Sequence, residues 1–338
     1  MNTTTLKNDF AELRRLVVEE GLMSRQPVYF TYKIIFNFVL VVVGLTVLFL
    51  FDNVWIQILN ALYFAFVYGQ LGLLGHDAGH HQIFGKAKRD IAISRICSFL
   101  VGISTAHWVS KHNEHHANPN HEDMDPDIEI PILAFTEEQA QSKRGIARFI
   151  VKHQAWFFFP ALCLTGLSLR MGSMRYLRAQ RFAKVWVEYV LLLLHFFLYF
   201  TVVFAWLPFW TGVVFVLMHQ AFFGLYMGSV FAPNHKGMMI VPRGMKLDFL
   251  RSQVLTARNV RAHPLTDFWY GGLNFQIEHH LFPNMPRNKL RTAQQIVKEF
   301  CKKKDIPYHE TSVLQSYREI LAGLHEVSAV LRRKRRLS

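Results

Sequence analysis

Between Ile34 and Phe51 the chain runs without a charge, and only Asn37 and Thr46 interrupt the apolar side chains. A helix needs about 20 apolar residues to cross a hydrocarbon core, so this run predicts a span over 34–51. Asp52-Asn53 forms a turn, and Val54 to Gly75 is again uncharged, which predicts a return span over 54–75 and a transmembrane hairpin. A second hairpin follows from Trp186–Trp206 and Phe209–Phe231, joined by Leu207-Pro208. Trp156–Leu169 is too short for an ordinary span and is expected to lie in the membrane plane. Ile91–Ala106 is apolar enough for the interface. The fold expected is all-α and integral to the membrane, with four spans in two hairpins, in-plane helices and a cytoplasmic helical cap.

The polar stretches complete the division. Residues 1–33 carry mixed charge with Phe10, Leu13, Leu16 and Val17 at amphipathic spacing, and no cleavable signal pattern precedes them; this is a cytoplasmic lead-in. The membrane domain is placed at 34–310, with an amphipathic helix from Lys289 to Cys301. Residues 311–338 form a basic helix and tail, the helix from Val313 to Leu331 and the tail ending Arg332-Arg333-Lys334-Arg335-Arg336. Contact with anionic lipid and a plain solvated tail are equally consistent with that ending.

Composition supports a chain largely in lipid, with 51% hydrophobic residues and 30 Phe. The formal charge of +14 is explained by topology. All 38 Lys and Arg fall before, between or after the predicted hairpins, and none in their two turns, as the accumulation of cations on the cytoplasmic side of short loops requires. Both termini and all polar segments then share one side. No RNA-binding or zinc-finger signature accompanies the charge, so nucleic acid is not a partner. Cys97, Cys163 and Cys301 are scattered without a CxxC, which removes disulfide frameworks and iron–sulfur sites.

Histidine usage changes the picture most. Of 17 histidines, 8 lie between His76 and His121. On a helix, His112, His115 and His116 sit at i, i+3 and i+4 and project from one face. His76 and His80 are one turn apart at the end of the second predicted span, and His279 and His280 form a third box. The topology puts all three boxes at one membrane face. Seven imidazoles exceed the six positions of one octahedral ion, so two metals are the economical reading, and imidazole suits zinc, copper, iron or nickel. Asp77 and Glu114 are candidates to hold imidazole tautomers. His195, His219 and Glu188 fall inside predicted spans, where polar groups are costly; they are read as structural, without an evident partner.

These boxes, the Asp125-Pro126-Asp127 that follows the second, and Gln276-Ile277-Glu278-His279-His280-Leu281-Phe282-Pro283-Asn284-Met285-Pro286-Arg287 closely resemble the membrane fatty acid desaturase family over residues 55–310. Gln276 at the head of the third box resembles the front-end subgroup, whose members often carry a fused cytochrome b5 with a His-Pro-Gly-Gly motif. Here His263-Pro264 is followed by Leu265-Thr266, and that motif is absent from the sequence. His81 and His107 depart from the residues usual in the family and are not counted as ligands. Phe231-Ala232-Pro233-Asn234-His235 matches an Asn-His element, which makes His235 the eighth expected ligand, ahead of His263 in Asn259-Val260-Arg261-Ala262-His263. Asn113, Asn234, Gln276 and Glu278 join Asp77 and Glu114 as residues expected to support the ligands.

The resemblance implies two iron ions, dioxygen as co-substrate, and removal of hydrogen from adjacent methylene carbons of an acyl chain. The carrier stays open between coenzyme A, acyl carrier protein and a lipid ester. No G-x-G-x-x-G after a strand, four-cysteine cluster or haem motif is evident, so an external donor of ferredoxin or cytochrome b5 type is implied, with membrane lipids as the surrounding partner. The membrane is a bacterial cell membrane, or the endoplasmic reticulum in a eukaryote. Competing readings are a hydroxylase of the same histidine-box group and a transition-metal transporter, although transport sites usually sit near the bilayer midplane.

Overall fold

A computed structural model describes residues 3–333. Lys334 to Arg336 fall outside the described residues, and with them most of the basic tail for which lipid contact was weighed. The helices follow in chain order as α1 Thr3–Glu19, α2 Pro27–Leu50, α3 Val54–Gly79, α4 Ala87–Val101, α5 Thr105–Ala117, α6 Glu137–Ser142, α7 Gly145–Lys152, α8 Gln154–Leu162 and α9 Thr165–Ala179. They continue with α10 Phe182–Trp206, α11 Phe209–His235, α12 Phe249–Leu255, α13 Pro264–Trp269, α14 Gln276–Leu281, α15 Leu290–Lys303, α16 Val313–Val327 and α17 Ala329–Arg332. Two short strands, β1 Asn259–Val260 and β2 Glu310–Thr311, pair in parallel with Asn259 opposite Glu310.

Helices α2, α3, α10 and α11 are long and apolar enough to cross a membrane, and two bent pairs raise the number to 6 if each is one broken span. Those pairs are α4 with α5, bent by 109°, and α8 with α9, bent by 73°. The segment expected to lie in plane at 156–169 is therefore divided, with Pro160 inside α8 and a break before Thr165. The first span also begins earlier than residue 34. Pro27 starts it, its fixed φ and missing N–H being tolerated in a first turn, and Lys33 does not end it. The Lys33 ammonium lies over the rings of Tyr29, Tyr32 and Phe36 at 5.6, 5.7 and 5.7 Å, a cation–π setting that carries the charge along an apolar helix.

The packing divides the described chain into two units, one of residues 3–23, 111–159 and 230–333, the other of 24–110 and 160–229. In the second unit α3 is the most enclosed of the long helices, with 61% of its span window buried against 17% for α2 and for α10. Its polar side chains go to helix backbone: Gln57 Nε2 donates to Phe51 O at 2.6 Å, and Asn60 Nδ2 to Gly44 O at 3.1 Å. Gly69 admits the Tyr226 ring so closely that a Cβ would come within 2.0 Å of it, while Gln70 Nε2 donates to the Tyr226 hydroxyl at 2.7 Å.

The polar residues expected inside spans have partners far away in sequence. Glu188 accepts from Thr105 N at 2.8 Å and faces Arg95 Nε at 3.5 Å. The Tyr199 hydroxyl lies 2.8 Å from His219 Nδ1. Arg170 donates to Gln220 Oε1 and, at 2.8 Å, to Val101 O, a carbonyl in the last turn of α4 that has no intrahelical partner. The left-handed Gly102 that ends α4 leaves no room for a side chain, because a Cβ would come within 2.4 Å of the His195 ring.

The first unit is held by a conventional apolar core. Leu13 and Val17 of α1, one turn apart, bury against Leu250, Phe282, Val297 and Cys301. Lys304 pairs with Asp9 at 2.9 Å and with Glu12 at 2.7 Å, fastening α1 near the end of α15. Arg258 is fully buried. Its guanidinium donates to Pro233 O at 2.5 Å, to Lys236 O and to the Glu319 carboxylate, so one cation joins the end of α11 to α16.

Two outcomes follow. Glu319→Ala leaves a buried guanidinium without its counter-ion; allowing for the partial exposure of Glu319, it should cost about 2–4 kcal/mol, read as a lowered unfolding midpoint, whereas Arg258→Met with Glu319→Leu should restore most of the loss. The hydrogen bond from Lys304, joined by Arg251 and opposed by burial, holds the Asp9 carboxyl below its ordinary 3.8. A group depressed by folding stabilises fully above its unfolded value and loses that contribution as pH falls through the folded one. The protection factors of the α1 amides, corrected for the intrinsic exchange rate, should therefore fall as pH drops below the ordinary carboxylate value of 3.8, and Lys304→Met should flatten that dependence.

Candidate metal centre

In the first unit α5 delivers His112, His115 and His116, the end of α11 delivers His235, and α14 delivers His279 and His280. Three of these meet through their Nε2 atoms, His115 to His235 at 3.3 Å and His235 to His280 at 3.1 Å. Their other ring nitrogens are committed. His115 Nδ1 lies 3.0 Å from both oxygens of Asp125, His235 Nδ1 is 3.0 Å from Thr256 O, and His280 Nδ1 is 2.8 Å from Gln253 Oε1. Each of those partners only accepts, so each Nδ1 carries the proton and each Nε2 presents a bare lone pair. Gln276 agrees: its amide donates to His235 Nε2 at 2.9 Å, and its orientation is set by Asn234 Nδ2 donating to its Oε1 at 3.0 Å.

Bare lone pairs at this separation repel unless a cation lies among them. Burial pushes the His280 imidazole well below its ordinary range, with the neighbouring histidines adding to the shift, so protonation is not the relief. A metal ion is, because it binds the neutral form. A second convergence in the same unit involves His112, His116 and His279, whose ring nitrogens lie within 4.8 Å of one another; His112 Nε2 and His116 Nε2 are 3.0 Å apart. His116 also stacks on His280 at 4.1 Å between ring centroids, which places the two groups side by side. All-imidazole donors with a carboxylate behind them suit a first-row transition ion rather than calcium or magnesium.

In the second unit His76 and His80 stand at the end of α3 with ring centroids 4.7 Å apart, and both flank the Trp108 ring, at 5.6 and 6.2 Å. Burial pushes His80 down to about 3, again the neutral, ligating form. Asp77 Oδ1 is 3.8 Å from His76 Nδ1.

The remaining candidates separate clearly. Glu278 is buried, accepts from Asn259 Nδ2 at 2.6 Å and from the Tyr308 hydroxyl at 2.8 Å, and burial pushes its carboxyl up to about 7 despite those bonds. Asn113 and Glu114 are exposed on α5. His263 is exposed and caps α13, its Nδ1 accepting from Leu265 N at 3.3 Å; it belongs to none of the histidine groups. His107 lies against Ser173 at 3.3 Å, and His81 gives its carbonyl to Arg25 at 2.7 Å.

Sequence reasoning did not assign Asp125, Gln253, Thr256 or Asn120. Asp125 also accepts from Asn120 N at 2.7 Å and Asp127 N at 2.8 Å, so backbone fixes the carboxylate that fixes His115. Asn120 Nδ2 lies 3.0, 3.2 and 3.3 Å from the carbonyls of His235, Met239 and Thr256. The Asp125-Pro126-Asp127 run was the one signal available.

Asp125→Asn should lower metal affinity by about 10–100-fold, read as metal per chain after equilibration with a buffered ion. Glu114→Gln should leave it unchanged.

The family model described as fatty acid desaturase matches residues 53–312. A Delta(6)-fatty-acid desaturase of Caenorhabditis elegans is 31% identical over 354 residues, covering 96% of this chain and 76% of that protein. A Delta(5) fatty acid desaturase of the same organism is 32% identical over 325 residues, covering 90% and 70%. An acyl-lipid (9-3)-desaturase of Physcomitrium patens is 29% identical over 336 residues; 96% of this chain is covered, and the chain spans 64% of that relative's length. With the family match running through all of the convergent histidines, the chain belongs to the fatty acid desaturase family.

Proposed function

We propose that the protein is an oxygen-dependent fatty acyl desaturase that introduces a cis double bond into an acyl chain. The observation that carries this is the pair of converging imidazole groups, one of them with its Nε2 atoms turned on one another, in a chain of this family. His115, His235 and His280 would hold one iron ion and His112, His116 and His279 the other; His76 and His80 are proposed as ligands on the sequence resemblance alone. The irons, when bound, supply the activation of dioxygen. The overall change removes two hydrogens from adjacent methylene carbons and, with two electrons and two protons from outside, reduces dioxygen to two molecules of water.

The chain's own residues do the positioning. Asp125, Thr256 O and Gln253 keep three imidazoles neutral and aimed, and Gln276 and Asn234 fix the approach to His235. A saturated acyl segment offers no polar handle and must be held by shape. The electrons come from a separate donor of ferredoxin or cytochrome b5 type, drawn to a basic face. The distribution of Lys and Arg supports four spans in two hairpins, with the histidines and both termini on the cytoplasmic side.

Mass-spectrometric mapping of double bonds in the lipids of a host expressing this chain tests the reading. A new cis double bond at a fixed position should appear with the wild type and disappear with His279→Ala, which should still insert. A hydroxylated product instead would move the protein to the oxygenase reading.

A further inference from the structure

From Gln139 to Val187 the chain carries nine Lys and Arg and no Asp or Glu. Within this run α7 and the start of α8 are fastened to the first unit on one side only. Val151 packs in a small core with Ala134 and Ala140, against Val327, Val330 and Leu331. Gln154 is fully buried and bonds to both backbone groups of Ala134, at 2.9 and 3.0 Å, and to Leu324 O at 2.9 Å. Arg332 reaches Lys152 O at 3.1 Å.

The opposite side is bare. Ile146, Phe149 and Trp156 are 79%, 58% and 82% exposed; Ile146 and Phe149 lie one turn apart on α7, and Trp156 follows in the first turn of α8, past the break at His153. Arg144, Arg148 and Lys152 flank them, and none of these three has an ion pair among the described residues. Three large apolar side chains flanked by cations form the in-plane, leaflet-inserting pattern rather than a polar surface. Only His153 separates α7 from the uncharged α8, the first half of a bent candidate span, so the chain passes from this face straight into a helix suited to hydrocarbon.

We propose that the outer face of α7 and the start of α8 docks on an anionic phospholipid leaflet. Ile146, Phe149 and Trp156 enter the boundary between headgroups and acyl chains, and Arg144, Arg148 and Lys152 bind headgroup phosphates. This face anchors the first unit to the leaflet independently of the long helices, and this does not rest on the enzymatic reading.

The test uses the full chain in nanodiscs of phosphatidylcholine, with or without phosphatidylglycerol, and compares wild type with Trp156→Phe to isolate the emission of that side chain. Quenching by lipids brominated on their acyl chains is expected for the Trp156 component, and more strongly with phosphatidylglycerol. Arg144→Gln with Arg148→Gln should reduce that difference, each lost cation weakening local docking roughly fivefold. Quenching by aqueous acrylamide in place of brominated lipid would overturn the proposal, as would shielding from both, the result expected if another protein or a second copy covers this face. Equal quenching with and without phosphatidylglycerol would overturn the anionic preference.

Discussion

The structure depends on a choice of proton. Each imidazole in the best-defined group has an acceptor behind its Nδ1, whether the carboxylate of Asp125, the carbonyl of Thr256 or the amide oxygen of Gln253. That placement leaves the Nε2 lone pairs facing one another with no ring hydrogen between them, the Gln276 amide alone donating to the one on His235. The fold thus brings together groups that repel in the absence of a cation, and the surrounding bonds must hold them there. Much of the first unit serves that end: Asn120 ties three carbonyls, Arg258 ties α11 to α16, and Asn259 links β1 to Glu278 and to Ile277 N.

Polar groups in the second unit follow a related logic with a different result. Arg170, Gln220, Tyr199 and His219 bond among themselves and to a carbonyl at the end of α4, where hydrocarbon would offer them nothing, although Arg170 Nε and His219 Nε2 stay buried without a hydrogen bond among the described residues. A helix that stops within an apolar unit needs a donor for its last carbonyls, and Arg170 supplies one. These side chains are accounted for by the way the helices are joined, with no need of a transport pathway.

What could be read beforehand was what local spacing encodes. His112, His115 and His116 announce themselves because three and four residues make one helix face, and long uncharged runs announce spans because hydrocarbon tolerates little else. What escaped depends on contacts closed over long stretches of chain. Gln253 meets His280 across 27 residues and Arg170 meets Gln220 across 50, and nothing near either residue signals the pairing. The early start of α2 escaped for another reason. Lys33 looks like a boundary until the rings of Tyr29, Tyr32 and Phe36 surround its ammonium.

Asn120 shows how narrowly such a site constrains a single residue. Its backbone is left-handed, with φ 55°, which favours Gly, Asn or Asp. Its side chain faces three carbonyl oxygens, which only a donor can satisfy. Glycine meets the first demand and abandons the second; aspartate meets the first and sets oxygen against oxygen. Among the genetically encoded residues asparagine alone answers both well, so any replacement at this position trades backbone strain against unpaired carbonyl oxygens beside the histidines.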